Sequence, residues 1–127
     1  MTHVDEYPAD AAHLARCVEL AETALAGGDD PFGSVLVGRD GTVLAEGHNR
    51  ETSTADPTAH PELELAQWAI RNLPAAERPA ATVYTSGEHC PMCAAAHGWA
   101  GLGRIVYAAS SAQLVSWRSA WGLPPAP

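Results

Sequence analysis

The sequence predicts an α/β protein in which helices cover both faces of a sheet. The chain has 127 residues, a length that suits one domain with a core of its own, and we expect residues 1–127 to form a single domain. Helical and strand-like patterns follow one another in the order α-β-β-α-β-α-β-α. That order is typical of the three-layer α/β/α sandwich class.

The first half predicts a helix followed by a β-hairpin. Ala9–Ala26 is rich in alanine, leucine and glutamate, and Gly27-Gly28 closes it. Gly33–Arg39 and Thr42–Gly47 are short strand-like runs, and Asp40-Gly41 between them is a strong hairpin signal. The apolar residues that recur at helical spacing in the first element are Leu14, Cys17, Val18, Ala21 and Leu25.

The second half alternates helices and strands after a polar loop at Arg50–Ala59. A helix is predicted from about Pro61 to Leu73, since proline is favoured in a first turn. Pro74–Pro79 is a loop. The remaining elements are a strand, a helix, a strand and a helix: Ala81–Thr85, Pro91–Ala100, Arg104–Ala109 and Ser111–Trp121.

Composition narrows the class of protein and its partners. Hydrophobic residues make up 46%, and no apolar run approaches the ~20 residues that span a bilayer, so no membrane role is expected. The formal net charge is -8, and the seven basic residues are arginines scattered along the chain. This balance disfavours a nucleic-acid substrate and suits a small molecule. Met1–Asp10 has no secretory signal pattern, so we expect a cytoplasmic protein.

The three cysteines do not suggest disulfides. Cys17 lies in the apolar stretch of the first helix and reads as a buried core residue. Cys90 and Cys93 fall where a strand passes into a helix, so three-residue spacing puts both on one face of the first turn. Thiolates at such a helix start can bind zinc. A thioredoxin-like redox pair and two inert buried cysteines are the alternatives.

His60-Pro61-Glu62, at the start of another helix, favours zinc. One imidazole completes a three-ligand site with Cys90 and Cys93 and leaves a fourth position open to water, as in catalytic sites. Glu62 can serve that water without binding the metal. The pattern His-x-Glu followed by Cys-x-x-Cys is the signature of zinc deaminases, with the glutamate as general acid and base. His97, four residues after Cys93, is a rival ligand.

These motifs resemble the cytidine-deaminase superfamily, and within it the bacterial guanine deaminases and related nucleobase deaminases. The resemblance implies a mixed sheet of roughly five strands between helices, one Zn²⁺ per active site and a homodimer. It extends from the first helix to about Ala109. The matching stretches are Asp30–Gly33, Gly47–Asn49, Asp56–Glu62 and Thr85–Cys93.

Three features depart from the family pattern. Pro61 stands where the family usually has alanine, and His89 stands where it usually has proline. Guanine deaminases also carry a longer C-terminal segment that helps to close the active site, often across the dimer, whereas this sequence ends at Pro127. We expect such a lid to be either missing or supplied by a neighbouring subunit.

Five residues are candidates for binding the substrate. The Asn49 side chain offers a donor and an acceptor for the edge of a base, and the family has a base-reading asparagine at this position. Phe32 and Trp99 are candidate aromatic walls, although core packing is the alternative for both. His89, beside a metal ligand, is a candidate for the pocket. Glu88 either faces the substrate or stabilises a helix start.

The resemblance therefore implies hydrolytic deamination of a free nucleobase or base-like heterocycle, with release of ammonia. Guanine is the expected substrate, and this would place the enzyme in purine metabolism. Cytosine, 5-azacytosine and amino-s-triazines are alternatives because Pro61 and His89 alter the pocket. A tRNA adenosine deaminase and a non-catalytic zinc-stabilised module are further alternatives.

The other tryptophans are expected in the core or in a dimer interface, because exposed tryptophans would be unfavourable in a free monomer. They are Trp68, Trp117 and Trp121.

Overall fold

The computed structural model describes residues 8–124, and their elements follow the expected order. Residues 1–7, on which most of the expectation about a signal segment rests, lie outside the described range, as do residues 125–127 of the proline-rich end. Within that range no helix has the length and hydropathy of a membrane span. The helices are α1 (Pro8–Ala26), α2 (Pro61–Asn72), α3 (Pro91–Ala100) and α4 (Ser111–Ala120). The strands are β1 (Gly33–Val37), β2 (Val43–His48), β3 (Thr82–Gly87) and β4 (Ile105–Ala109).

The strands form one mixed sheet in the order β2-β1-β3-β4. β1 is antiparallel to both β2 and β3, and β3 is parallel to β4. The expectation of about five strands is corrected to four for residues 8–124. After β4 the described chain forms α4 and a turn at Trp121-Gly122, where a positive φ of 71° at Gly122 and the missing N–H of Pro124 oppose an extended strand.

The hairpin between β1 and β2 forms as predicted. The Gly38 N–H donates to the Thr42 carbonyl, and the Asp40 carboxylate accepts from the Thr42 N–H. Gly41 has a φ of 86°, a conformation that glycine adopts without steric cost. The turn therefore determines the register of the two strands. β1 ends at Val37 and not at Arg39, because the turn begins directly after it.

Helix α1 covers one face of the sheet. Successive strand residues point to opposite faces, and Val35 and Val37 of β1 face α1. Gly33 also lies on this side, where an added Cβ would be 2.5 Å from the Cys17 carbonyl oxygen and from the Leu20 Cβ. Cys17 is completely buried, which confirms it as a core residue. The core cluster on this face comprises Leu14, Cys17, Leu20, Val35, Val37 and Tyr84.

The exact face that α1 buries differs from the expectation at two positions. Val18 and Leu25 are 43% and 60% exposed, whereas Leu20 and Ala24 are buried in their place. Positions 14, 17, 20 and 24 form a narrow stripe of a 3.6-residue helix, and Val18 and Leu25 lie at its edge. The sheet therefore covers the side of α1 that carries Leu20 and Ala24 and leaves Val18 and Leu25 largely exposed.

Helix α2 covers the opposite face, and α3 packs against α2. Leu36 of β1 and Val83 of β3 point to this side and contact Leu65 and Ala69 of α2. Trp68 is partly buried against the same cluster, which agrees with the core alternative expected for it. Helices therefore lie on both faces of the sheet, as the order of elements predicted.

Helix α4 is bound to the rest of the chain more loosely. A capping box formed by Ser110 and Gln113 begins it, but it buries no residue. Trp117 and Trp121 stack on each other at a centroid distance of 6.4 Å and are 43% and 68% exposed. The core alternative for these two tryptophans is therefore wrong in the isolated chain, because residues 8–124 leave a large part of each side chain exposed.

Candidate active site

Three strand ends meet at one edge of the sheet. Gly33, which begins β1, is paired with His48, which ends β2. Ser34 is paired with Thr85, near the end of β3. The segments that lead from β2 to α2 and from β3 to α3 therefore leave the sheet at the same edge, and the sequence motifs lie on those segments.

The ligand candidates begin two helices. His60 is the N-cap residue of α2 and Cys90 is the N-cap residue of α3, and neither uses its side chain to cap the helix. Pro61 and Pro91 occupy the first helical positions, where the missing N–H of proline would have had no partner. Proline at position 61, where the family usually has alanine, is thus compatible with the start of α2. Both helices point their positive dipole ends at the site, which favours thiolates and other anions there.

His60, Cys90 and Cys93 converge as the motif predicted. The Nδ1 atom of His60 lies 3.5 Å from both Sγ atoms, and the three candidate ligand atoms all lie within 4.8 Å of one another. A tetrahedral zinc ion about 2.3 Å from sulfur and about 2.1 Å from nitrogen holds those atoms about 3.6 Å apart. The donor set and its spacing therefore fit zinc. In residues 8–124 no other histidine, cysteine or carboxylate belongs to such a group.

The two thiols differ in their ionisation. Burial would raise the pKa of Cys90, but its hydrogen bonds with Cys93 and the nearby His60 outweigh burial and lower it. Burial raises the pKa of Cys93 well above its ordinary value, and the Glu62 and Cys90 charges add to that increase. A cation that binds here must displace the Cys93 proton, so binding is coupled to proton release.

Glu62 is buried beside these ligands. Its side chain is 7% exposed and contacts the Cys93 thiol, and burial raises the pKa of the carboxyl group. The Ser34 hydroxyl donates to Glu62 Oε1 at 3.2 Å, and Ser34 Oγ lies 2.9 Å from Thr85 Oγ1. Both hydroxyl residues are completely buried. A carboxyl group held in one position beside a metal site is suited to general acid and base chemistry.

Glu51 is a site residue that sequence reasoning missed. Its Oε1 lies 2.6 Å from His60 Nε2, the ring nitrogen that faces away from the cysteines. The only signal in the sequence is a carboxylate in the polar loop that precedes the metal histidine, and metal-bound histidines commonly pair with carboxylates. The eight residues between them give no indication of contact until the loop is folded.

Asn49 and Phe32 lie next to each other at the same edge. The Asn49 N–H donates to the Phe32 carbonyl at 2.9 Å. Asn49 is 3% exposed, and the Phe32 ring lies against Gly87 at the end of β3. The structure thus brings both candidates to the strand ends from which the metal-site segments leave.

Glu88 and His89 are directed elsewhere. Glu88 Oε1 accepts from the Ser111 N–H at 2.8 Å, so this carboxylate interacts with the start of α4. His89 is 7% exposed, and its ring packs edge-on against His97 at a centroid distance of 5.5 Å. Neither ring nitrogen of His89 has a hydrogen-bond partner among residues 8–124. Burial lowers the pKa of His89 to about 4, so the ring is neutral near pH 7. His97 hydrogen-bonds the Gly103 carbonyl at 2.7 Å through Nε2 and does not join the metal group.

Trp99 is not brought to the site. It is 90% exposed, on the outer side of α3, where it borders a shallow depression of about 340 Å³ with Ala94, Ala95 and Gly98. Residues two apart on a helix lie on nearly opposite sides, so the buried His97 turns Trp99 outward. This position corrects the expectation that Trp99 lines the pocket of its own chain.

Comparison with known proteins identifies the family. The cytidine and deoxycytidylate deaminase zinc-binding region matches residues 8–109. The guanine deaminase of Bacillus subtilis is 44% identical over 97 residues, which cover 76% of this chain and 62% of that protein. The tRNA-specific adenosine deaminase of Agrobacterium fabrum is 40% identical over 92 residues, which cover 71% of this chain and 60% of that protein. The chain thus spans about 60% of the length of these relatives.

A solved structure agrees with the sequence matches. The X-ray structure of guanine deaminase from Bacillus subtilis superposes with a TM-score of 0.74 at 36% identity, covering 92% of this chain and 70% of that one. The predicted resemblance and fold class are therefore confirmed. This chain belongs to the cytidine and deoxycytidylate deaminase zinc-binding family.

Proposed function

We propose that this member of the deaminase family is one zinc-dependent domain that hydrolyses the exocyclic amine of a free nucleobase, with guanine as the first candidate. The observation that carries the proposal is the convergence of His60 Nδ1 and the sulfurs of Cys90 and Cys93 beside the buried carboxyl group of Glu62. Three ligands leave a fourth position open, which is the arrangement of catalytic zinc sites.

The chemistry is divided between the metal and Glu62. A zinc ion in this site would supply a Lewis acid that lowers the pKa of a water toward ~7. Glu62 would take one proton from that water as the water oxygen bonds to the ring carbon that bears the amine. Glu62 would give that proton to the ring nitrogen and would then carry the second proton, from the hydroxyl group now on the ring carbon, to the departing amine. The carbon–nitrogen bond breaks, ammonia leaves, and the ring carbon keeps a carbonyl.

Asn49 and Phe32 are the groups that we propose bind the base. The Asn49 side chain offers an amide donor and a carbonyl acceptor at nearly complete burial, and a nucleobase edge presents both types of partner. The Phe32 ring, held against Gly87, would form an apolar wall for a flat heterocycle. His89 and Glu88 remain weaker candidates, because each side chain faces another element.

Charge supports a free base over a tRNA. The chain has fifteen acidic and seven basic residues, and tRNA binding depends on clustered positive charge. The similarity to a guanine deaminase supports guanine, whereas the similarity to a tRNA-specific adenosine deaminase keeps adenosine in tRNA as the second candidate. Cytosine, 5-azacytosine and amino-s-triazines complete the set to be tested.

We also propose that the active form is a cytoplasmic homodimer. Trp99, Tyr107, Trp117 and Trp121 are each at least 43% exposed, and large apolar side chains of this kind favour burial between subunits. A site with two thiol ligands requires reduced cysteines, a condition that the cytoplasm maintains.

The test is ammonia release by the zinc-loaded protein from guanine, cytosine, adenine, 5-azacytosine, amino-s-triazines and a tRNA anticodon stem-loop. Glu62→Ala is the control, and we expect it to lower turnover by roughly 10² to 10⁴ while one zinc stays bound. Release from a free base that the control abolishes would support the proposal. Release of ammonia from the stem-loop alone would instead support adenosine in tRNA as the substrate. No release from any compound, with one zinc bound, would overturn it in favour of a non-catalytic zinc module.

A further inference from the structure

The carboxylate of Glu51 lies between the two functional halves of the site. Glu51 is the third residue after β2, in the loop that leads to α2. Its Oε1 accepts a hydrogen bond from His60 Nε2 at 2.6 Å, and its Oε2 accepts from Asn49 Nδ2 at 3.3 Å. One oxygen thus binds the proposed metal ligand, and the other binds the proposed base-reading residue.

The contact with His60 determines which nitrogen faces the cysteines. A neutral imidazole carries its proton on one nitrogen and can bind a metal only through the other. Because Glu51 lies against Nε2, the proton is held there and the lone pair of Nδ1 is directed to Cys90 and Cys93 at 3.5 Å. Carboxylates that orient metal-bound histidines in this way raise metal affinity.

The contacts with Asn49 are equally direct. Asn49 Oδ1 accepts from the Glu51 backbone N–H at 2.9 Å, and Asn49 Nδ2 donates to the Glu51 side chain. The amide is therefore held from both ends by a single residue. Removal of the carboxylate would leave the Nδ2 group without this acceptor, and only the backbone N–H of residue 51 would then hold the amide.

The loop holds the Glu51 backbone in place. The Glu51 carbonyl accepts from the Asp56 N–H at 3.0 Å, and the Arg50 N–H donates to the Ala59 carbonyl at 3.0 Å, next to His60. The Asp29 carboxylate accepts from the Ser53 N–H at 2.7 Å and connects the loop to the turn after α1. The side chain is 27% exposed, so it is shielded in part from competing water.

We infer that Glu51 is a positioning residue that holds His60 for the metal and Asn49 for the base. The inference about Asn49 rests on the proposed function, whereas the inference about His60 depends only on metal binding. Two properties should therefore respond to changes at Glu51: the dissociation constant for zinc and the KM for the base.

The experiment compares Glu51→Ala, Glu51→Asp and Glu51→Gln with Glu64→Gln, a control on an exposed position of α2. Zinc affinity is measured by competition with a chromophoric chelator, and kcat and KM by ammonia release. Glu51→Ala and the shorter Glu51→Asp should weaken zinc binding about 10- to 100-fold. Glu51→Gln keeps one carbonyl oxygen that can accept from His60 but places an NH₂ group against Asn49. It should therefore keep zinc affinity within about 3-fold and raise KM about 10-fold with a smaller change in kcat.

The outcomes separate this inference from the proposed function. Zinc affinity of Glu51→Asp within 2-fold of the unchanged protein would overturn the inference about His60, and this arm is decisive even if Glu51→Ala does not fold. Wild-type KM in Glu51→Gln would overturn the inference about Asn49. If the unchanged protein releases no ammonia from any base, the proposed function fails, and the chelator measurement alone decides the role of Glu51 toward His60. We expect Glu64→Gln to have the same zinc affinity, kcat and KM as the wild-type protein in every case.

Discussion

Ser34 and Val35 are neighbours in β1 and are both completely buried, yet they face two different kinds of interior. Val35 points to α1, into a cluster made almost entirely of apolar side chains. Ser34 points to α2 and joins a buried polar group with Thr85 and Glu62. The alternation of a single strand thus separates a face that only stabilises the fold from a face that packs a core and also carries the proposed chemistry. Burial by itself does not distinguish them.

The cysteines repeat the same difference. Cys17 lies on the α1 face, where burial raises the pKa of its thiol to about 12 and keeps it protonated and inert. Cys90 lies at a helix start, and its hydrogen bonds with Cys93 and the nearby His60 lower its pKa although burial opposes them. The chemistry of each cysteine follows from the groups around it, and only the α2 side offers a histidine, a second thiol and a helix N-terminus.

The largest effect that tests this comparison is the loss of zinc. Cys93→Ala should remove a ligand and lower the bound zinc from one per chain to well below one, because two ligands are too few for a stable site. Cys17→Ala should leave one zinc bound and reduce the free energy of unfolding by only about 1 kcal/mol. Metal analysis after dialysis and chemical denaturation measure the two quantities. Zinc retained by Cys93→Ala would contradict the assignment of the two faces.

A smaller effect is expected from the polar contact of the α1 side. Asp10 is 5% exposed and accepts hydrogen bonds from the Tyr84 hydroxyl and from Arg104, which connect α1 to β3 and to the start of β4. Asp10→Asn should lower the free energy of unfolding by roughly 1–3 kcal/mol near pH 7, because charged hydrogen bonds are replaced by weaker neutral ones. Zinc content should not change.

The pH dependence of that difference has a defined sign. The hydrogen bond from Arg104 lowers the pKa of Asp10 below its ordinary 3.8, although burial opposes it. A lowered pKa in the folded state means that the ionised group stabilises the protein above the unfolded pKa and that this contribution is lost as pH falls below it. The gap in unfolding free energy between the unchanged protein and Asp10→Asn should therefore be constant at pH 5–7 and close below about pH 4. If the difference in unfolding free energy between the two proteins became larger at acid pH, the ionised Asp10 carboxylate would not be the stabilising group.

The smallest effect concerns the Ser34 hydroxyl. Ser34→Ala removes the donor to Glu62 Oε1 and one partner of Thr85 with little change of volume. We expect a loss of about 1 kcal/mol in stability and about a 10-fold lower kcat, since Glu62 keeps its place but loses one of its hydrogen bonds. Val35→Ala is the matched change on the other face, and it should lower stability by about 1–3 kcal/mol with kcat unchanged. Equal effects of the two variants on kcat would remove the distinction between the faces.

Much of this protein follows from short-range features of its sequence. The order of elements, the Asp40-Gly41 turn and the burial of Cys17 need only local propensity and periodicity. His60 and Glu62 share one helix start, and Cys90 and Cys93 share another, so their relative positions within each pair are determined by helix geometry. That is why the candidate metal ligands and the candidate general base could be predicted from the sequence.

Other features depend on contacts between distant parts of the chain, which local patterns do not encode. Glu51 reaches His60 only because the loop between them is closed by its own hydrogen bonds, and Ser34 reaches Thr85 only through the register of β1 and β3. Trp99 is equally apolar whether it faces inward or outward, and the orientation of α3 placed it in solvent. The sequence therefore determined which residues can perform the chemistry, because helical spacing is a local property. The tertiary structure decided which other side chains position those residues, because packing and strand register are properties of the whole chain.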